Sequence, residues 1–360
     1  MQYVLYVLIA LLVLLAMITV HEFGHFITGK AFGFGIEEFS IGFGPKIFGK
    51  TKKNGEKFSV RAIPLGGFCA FKGEDADDDD PSAFNNKKPW LRIIVLVSGA
   101  VMNYILALAV IVVMFGAYGS SAIMVYTPLD DPTYAEETSF KTKDVIIEID
   151  GKDVYLVSDI MNALDGRHAG EAVKFRLYRN GAFIDADITL KADADFKNLE
   201  DSETLCRTLG VQYERDADGN VGTGFRTTGI KFGFFKTVGR SFQYSFKLAG
   251  TIFSVFRQLF TGALGIKSLG GTVTTISVTA NAIKTGGLWS LLNITAFIGV
   301  NLAVFNLLPF PALDGSRTVF VIIEWIRRKP LNRRVEGVIH TVGFLLILLF
   351  AIFVDVQRCF

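Results

Sequence analysis

Three residues within five positions, His21, Glu22 and His25, have the types and spacing of a metal-assisted hydrolase. On an α-helix, residues four apart share a face, so the imidazoles of His21 and His25 can address one metal ion. Glu22 then lies beside that ion, where a carboxylate can take a proton from an attacking water and pass it to a leaving amine. The competing reading is a pair of interfacial histidines capping an apolar helix. The intervening Glu tips the balance toward chemistry, because ionisable groups clustered at the end of an apolar run demand a reason, and function is the default one.

The element that must position them is that apolar run, Tyr3–Val20. Together with Ile93–Tyr118, Leu288–Leu308 and Val338–Val354 it is long enough to cross about 30 Å of hydrocarbon at about 1.5 Å per residue. The first run has no basic leader and no small-residue cleavage site after it, so it reads as a retained helix. Half of all residues are hydrophobic and 33 of 360 are Phe. With a mean hydropathy of +0.39 this excludes an ordinary soluble chain. A net charge of +2 gives no sign of nucleic-acid binding. Cys69, Cys206 and Cys359 lie far apart with no C-x-x-C, so neither a disulfide framework nor a thiolate metal site is indicated.

The segment between the first two apolar runs is strongly basic, from Lys30 to Arg92, and so is the one between the last two, from Arg317 to Arg334. The positive-inside rule places both on the cytoplasmic side, and the N-terminus, segment 119–287 and the C-terminus outside. The His-Glu-His cluster then sits toward the cytoplasmic face. A hydrolytic zinc site takes three protein ligands and leaves one position open. Asp314 is a candidate for the third, since Asn306-Leu-Leu-Pro-Phe-Pro-Ala-Leu-Asp314-Gly315 stands at the cytoplasmic end of the third run, where Pro309 and Pro311 loosen the helix. The alternative is an ordinary helix-end Asp before a turn glycine. Asn306, near the same level, would hydrogen-bond a substrate carbonyl or satisfy the loosened helix.

His21-Glu22-Phe23-Gly24-His25-Phe26 and the N-x-x-P-x-P-x-L-D-G pattern of Asn306–Gly315 resemble the site-2 protease type of intramembrane metalloprotease, in particular its bacterial regulator-of-sigma-factor branch. The resemblance implies that His21, His25 and Asp314 bind zinc, that Glu22 is the catalytic base and proton shuttle, and that Asn306 contacts substrate. It also implies a multi-pass protein of the bacterial cytoplasmic membrane that cuts the transmembrane segments of single-span partners such as anti-sigma factors or remnant signal peptides. Gly42, Phe43 and Gly44 resemble the edge of the family's membrane-reentrant β-loop, which would bind substrate as an added strand.

Glu37–Phe71 alternates in strand fashion around a turn signal at Lys53-Asn54-Gly55 and predicts hairpins. The acidic Asp75–Asp80 run reads as a solvated loop. Between Ser121 and Ala192, strands at Val145–Ile149 and Val173–Leu177, turns at Asp150-Gly151 and Asn180-Gly181, and a short helix Ser158–Leu164 resemble one α+β PDZ domain outside the membrane, a peptide-binding groove or a size filter. Phe232–Phe260 predicts an amphipathic helix on the bilayer surface.

The expected architecture is therefore a polytopic α-helical membrane protein with four transmembrane helices. Its segments are 1–36 with the HExxH, 37–91 with the β region and acidic loop, 92–118, the PDZ-like 119–225, the surface segment 226–287, 288–316 with the LDG motif, and 317–360. Two rivals remain open at this level. One is a membrane-anchored zincin acting on cytoplasmic substrates, with a third ligand among Glu74, Asp75 and Asp77. The other is a non-enzymatic scaffold with a structural metal.

Overall fold

The computed structural model describes residues 2–74, 78–125, 140–196, 201–211, 213–215, 221–262 and 271–359. In chain order the first elements are helix α1 (Gln2–Ala31), strands β1 (Ile36–Thr51) and β2 (Lys57–Phe71) and helix α2 (Pro89–Tyr118). Next come strands β3 (Ser120–Val125), β4 (Val145–Ile149) and β5 (Lys152–Asp153), helix α3 (Val157–Leu164), strands β6 (Ala172–Arg179) and β7 (Ala182–Thr189), and helix α4 (Ser202–Leu209). Strands β8 (Tyr213–Arg215), β9 (Val221–Thr223) and β10 (Phe225–Ile230) precede helices α5 (Phe234–Thr261), α6 (Thr272–Leu307), α7 (Asp314–Arg327) and α8 (Arg333–Cys359). Among the described residues four helices, α1, α2, α6 and α8, are long and apolar enough to cross a membrane. The chain divides into two compact units, one of residues 1–111, 245–255 and 264–360, the other of 112–244 and 256–263.

In the first unit α1 does not stop at Val20. Nothing in Val20–Ala31 breaks a helix, and the run ends where Gly33 takes the left-handed conformation (φ 68°) and Phe34 N–H closes on Gly29 O at 2.8 Å. His21 and His25 are thus held inside a continuous helix. The predicted hairpin forms, with Gly55 at φ 86° in its turn and Lys52 N–H donating to Glu56 O. Its pairing is more folded-back than alternation suggests. Residues 38–41 pair with Ala70 back to Gly67 on one side, and with Lys57 to Val60 on the other. Both strands therefore bend midway and make a curled sheet. Phe34, Phe71 and Phe84, ring centroids 5.6–5.7 Å apart, join Val95 and Val321 in a buried cluster that seats this sheet on the helices. Helix α6 begins sixteen residues before the expected Leu288, and Gly287 (φ 58°, ψ −142°) divides it into two limbs. The Thr-rich first limb is too polar to read as a span, so sequence periodicity finds only the second. The helix ends at Leu307, as the two prolines require, and α7 starts at Asp314.

The second unit contains a six-stranded sheet of order β10-β3-β4-β6-β7, with β5 on β4, packed with α3 and α4 around Ile146, Ile149, Phe175, Leu177, Ile160 and Leu205. Asp150-Gly151 and Asn180-Gly181 both take positive φ at both positions, the twist of a tight hairpin turn. The buried Arg240 guanidinium is met by Asp153, Ser120 and the carbonyls of Ser121 and Val154. Part of the predicted PDZ-like stretch, 126–139, lies outside the described residues. Burial pushes the Cys206 thiol up to about 11. Its thiolate is accordingly scarce at neutral pH, and Cys206 is expected to resist iodoacetamide in the folded protein at pH 8 and to label after denaturation, as mass spectrometry would read.

Candidate metal centre

The helix α1, the loop before α7 and one face of α2 bring three ligand atoms together within the first unit. His21 Nε2 stands 3.0 Å from Asp314 Oδ2, His25 Nε2 stands 3.3 Å from the same oxygen, and the two Nε2 atoms are 3.2 Å apart. A tetrahedral zinc with bonds near 2.1 Å keeps its donors about 3.4 Å apart, so this near-equilateral triangle of two imidazoles and a carboxylate fits the ion. Both histidines are buried. His25 is oriented from behind, its Nδ1–H donating to Val95 O at 2.8 Å, which leaves Nε2 free to ligate. His21 Nδ1 faces two amide groups, Asn103 at 3.4 Å and Asn306 at 3.5 Å.

Close approach of α1 and α2 makes this possible. A Cβ on Gly24 would sit 2.5 Å from Ser98 O, and one on Gly99 would sit 2.5 Å from His25 Nε2. The Ser98-Gly99-Ala100 run, inert in a hydropathy reading, is the small-residue signal that could have marked the contact. A cavity of about 270 Å³ opens on the triangle, lined by Ile18, His21, Glu22, Asn103, Leu302, Asn306, Ala312, Leu313 and Asp314. Glu22 and Asn306 thus share one small chamber with two of the three donors, His21 and Asp314.

The predicted substrate-strand residues lie in the curled sheet. Gly42 and Gly44 (φ 85° and 81°) form the bend of β1, and Phe43 pairs with Ile63 and packs on Gly66. Strand β2 reaches Glu22, where a Cβ on Gly67 would lie 3.4 Å from Glu22 Cγ and the Cys69 backbone hydrogen-bonds the Glu22 carboxylate. Glu74, a rival third ligand, is engaged by Arg317 and by Phe71 N–H. Asp75 and Asp77 lie outside the described residues.

The sequence profile of Peptidase family M50 matches residues 9–350, nearly the whole chain and all of the site. The chain belongs to peptidase family M50. Full-length relatives agree: a protein of Clostridium perfringens is 34% identical over 356 residues, 98% of each chain. One of Clostridium acetobutylicum is 30% identical over 351 residues, 98% of this chain and 96% of its own, and one of Brucella suis 28% identical over 359, covering 96% and 92%. Each carries the name "Putative zinc metalloprotease". This M50 peptidase is a zinc metalloprotease, and zinc is its cofactor.

Proposed function

We propose that the protein is an intramembrane endopeptidase that cuts the transmembrane segments of single-span proteins, anti-sigma factors or remnant signal peptides, from a bacterial cytoplasmic membrane. The observation that carries the reading is the donor triangle itself, two of whose members lie inside a helix apolar enough to span the bilayer. His21, His25 and Asp314 hold the zinc. When bound, the ion supplies a Lewis acid that polarises the scissile carbonyl and acidifies water. Glu22, in the chamber wall, takes the proton of the attacking water and returns it to the amide nitrogen as the C–N bond breaks. Asn306 donates to a substrate backbone carbonyl. A membrane helix has all its amides bonded internally and must unwind first. The chamber faces the cytoplasm, and a PDZ-like module of residues 119–225 lies outside the membrane, where it binds peptide or screens substrates by size.

Reconstituted protein is expected to cut a single-span peptide within its hydrophobic stretch and to stop when o-phenanthroline removes the zinc. Cleavage confined to water-soluble peptides would instead support the cytoplasmic zincin. His21 ligating through Nε2 must carry its proton on Nδ1, so the amide facing it should present oxygen. The buried Asn103 Oδ1 has no partner as oriented, and a half-turn of the amide supplies one. Asn103→Leu is therefore expected to weaken zinc retention about 10–100-fold in a chelator competition, with the fold kept.

A further inference from the structure

The loop that delivers Asp314 is held from outside the chamber. Ala312, two residues before Asp314, sits at φ 76°, a left-handed conformation that an L-residue adopts only when its surroundings impose it. Two residues of α8, one turn apart, meet that loop. His340 Nδ1 accepts the Ala312 N–H at 3.0 Å, and Gly343 lies flush against Pro311, where a Cβ would come within 2.1 Å of the proline Cβ. Phe320 of α7 packs edge-on against the His340 ring, centroids 5.6 Å apart at 87°, and fixes its plane. No ordinary packing need explains a histidine turning its lone pair onto the one strained backbone amide beside a ligand. Its accepting role assigns the proton to Nε2.

We propose that α8 is a clasp on the Asp314 loop and that His340 is a positioning residue for the zinc site, acting through the Ala312 amide. The proposal rests on Asp314 being a ligand. His340 touches neither metal nor substrate. It stabilises the turn that aims the carboxylate, and Gly343 lets α8 come close enough for it to do so.

The test uses the full chain in detergent, with zinc release into a chelator, cleavage of a single-span peptide, and amide exchange of segment 309–313 in the metal-free protein. His340→Leu is expected to release zinc about 10-fold faster and to raise exchange in 309–313 about 10-fold, with kcat falling and KM unchanged. His340→Asn, whose Oδ1 can take the place of Nδ1, is expected to restore most of the loss, while Gly343→Ala, which pushes α8 off Pro311, reproduces His340→Leu. Ala312→Gly reaches the turn without help, so the His340→Leu defect is expected to shrink in that background. Wild-type zinc retention in His340→Leu, equal damage from Leu and Asn, or additive effects of Ala312→Gly and His340→Leu would each overturn the clasp. Asp314→Asn separates the two levels. If it keeps zinc as wild type does, the ligand reading fails; if it loses zinc while His340→Leu does not, only the clasp fails.

Discussion

Glu22→Gln is expected to lose at least about a thousandfold in cleavage rate while binding one zinc as the wild type does. Glutamine preserves the size and the hydrogen bond from the Cys69 backbone, so the helix and the chamber stay as they are. It cannot accept a proton from water or return one to the leaving nitrogen. A single well-placed acid–base group contributes about a hundred to ten thousandfold, and here one carboxylate serves both transfers. Zinc content by mass spectrometry of the purified variant, beside cleavage of a single-span peptide, separates chemistry from assembly. Retention of more than a tenth of the rate would remove Glu22 from the proton path.

Gly99→Ala is expected to abolish zinc binding although it changes no ligand. Its methyl would stand 2.5 Å from His25 Nε2, 2.7 Å from His21 Cε1 and 2.8 Å from His21 Nε2, separations that carbon and nitrogen do not share. Retreat of α2 would give up the close packing of Gly24 on Ser98 O. Both imidazoles must then swing away from Asp314, and a displacement near 1 Å at a reacting centre already costs about a hundredfold. Gly116 on the same helix has no atom within 4 Å of its would-be Cβ, so Gly116→Ala is the matched control and should bind zinc normally. Equal zinc affinity in the two variants would contradict the packing argument.

The parts legible in the sequence were those written in local pattern. HExxH marks two donor atoms because helical spacing alone aligns them, and Asp314 stands out as the acid that follows a proline-broken span. Asn54-Gly55, Asp150-Gly151 and Asn180-Gly181 mark turns through backbone chemistry that few other residues tolerate. What escaped depends on contacts across the chain. Gly99 reads as one more small residue in an apolar helix, and only the position of α1 shows that any side chain there would strike a histidine. His340 reads as a histidine at a helix start, its partner 28 residues away in a loop whose conformation no periodicity encodes. The curled hairpin escaped because residues 38–41 pair on both sides, whereas alternation predicts one partner at a time.

The two halves of the donor triangle are 293 residues apart in the chain. At a synthesis rate of about 5–20 residues per second, roughly 15–60 s pass between the making of His21 and that of Asp314. Throughout that interval the growing chain carries its first two imidazoles and its glutamate but lacks the carboxylate that completes the site. On the proposed ligand set, a chain still being made has no complete site, and so cannot cut the newly inserted helices around it, until Asp314 has been added.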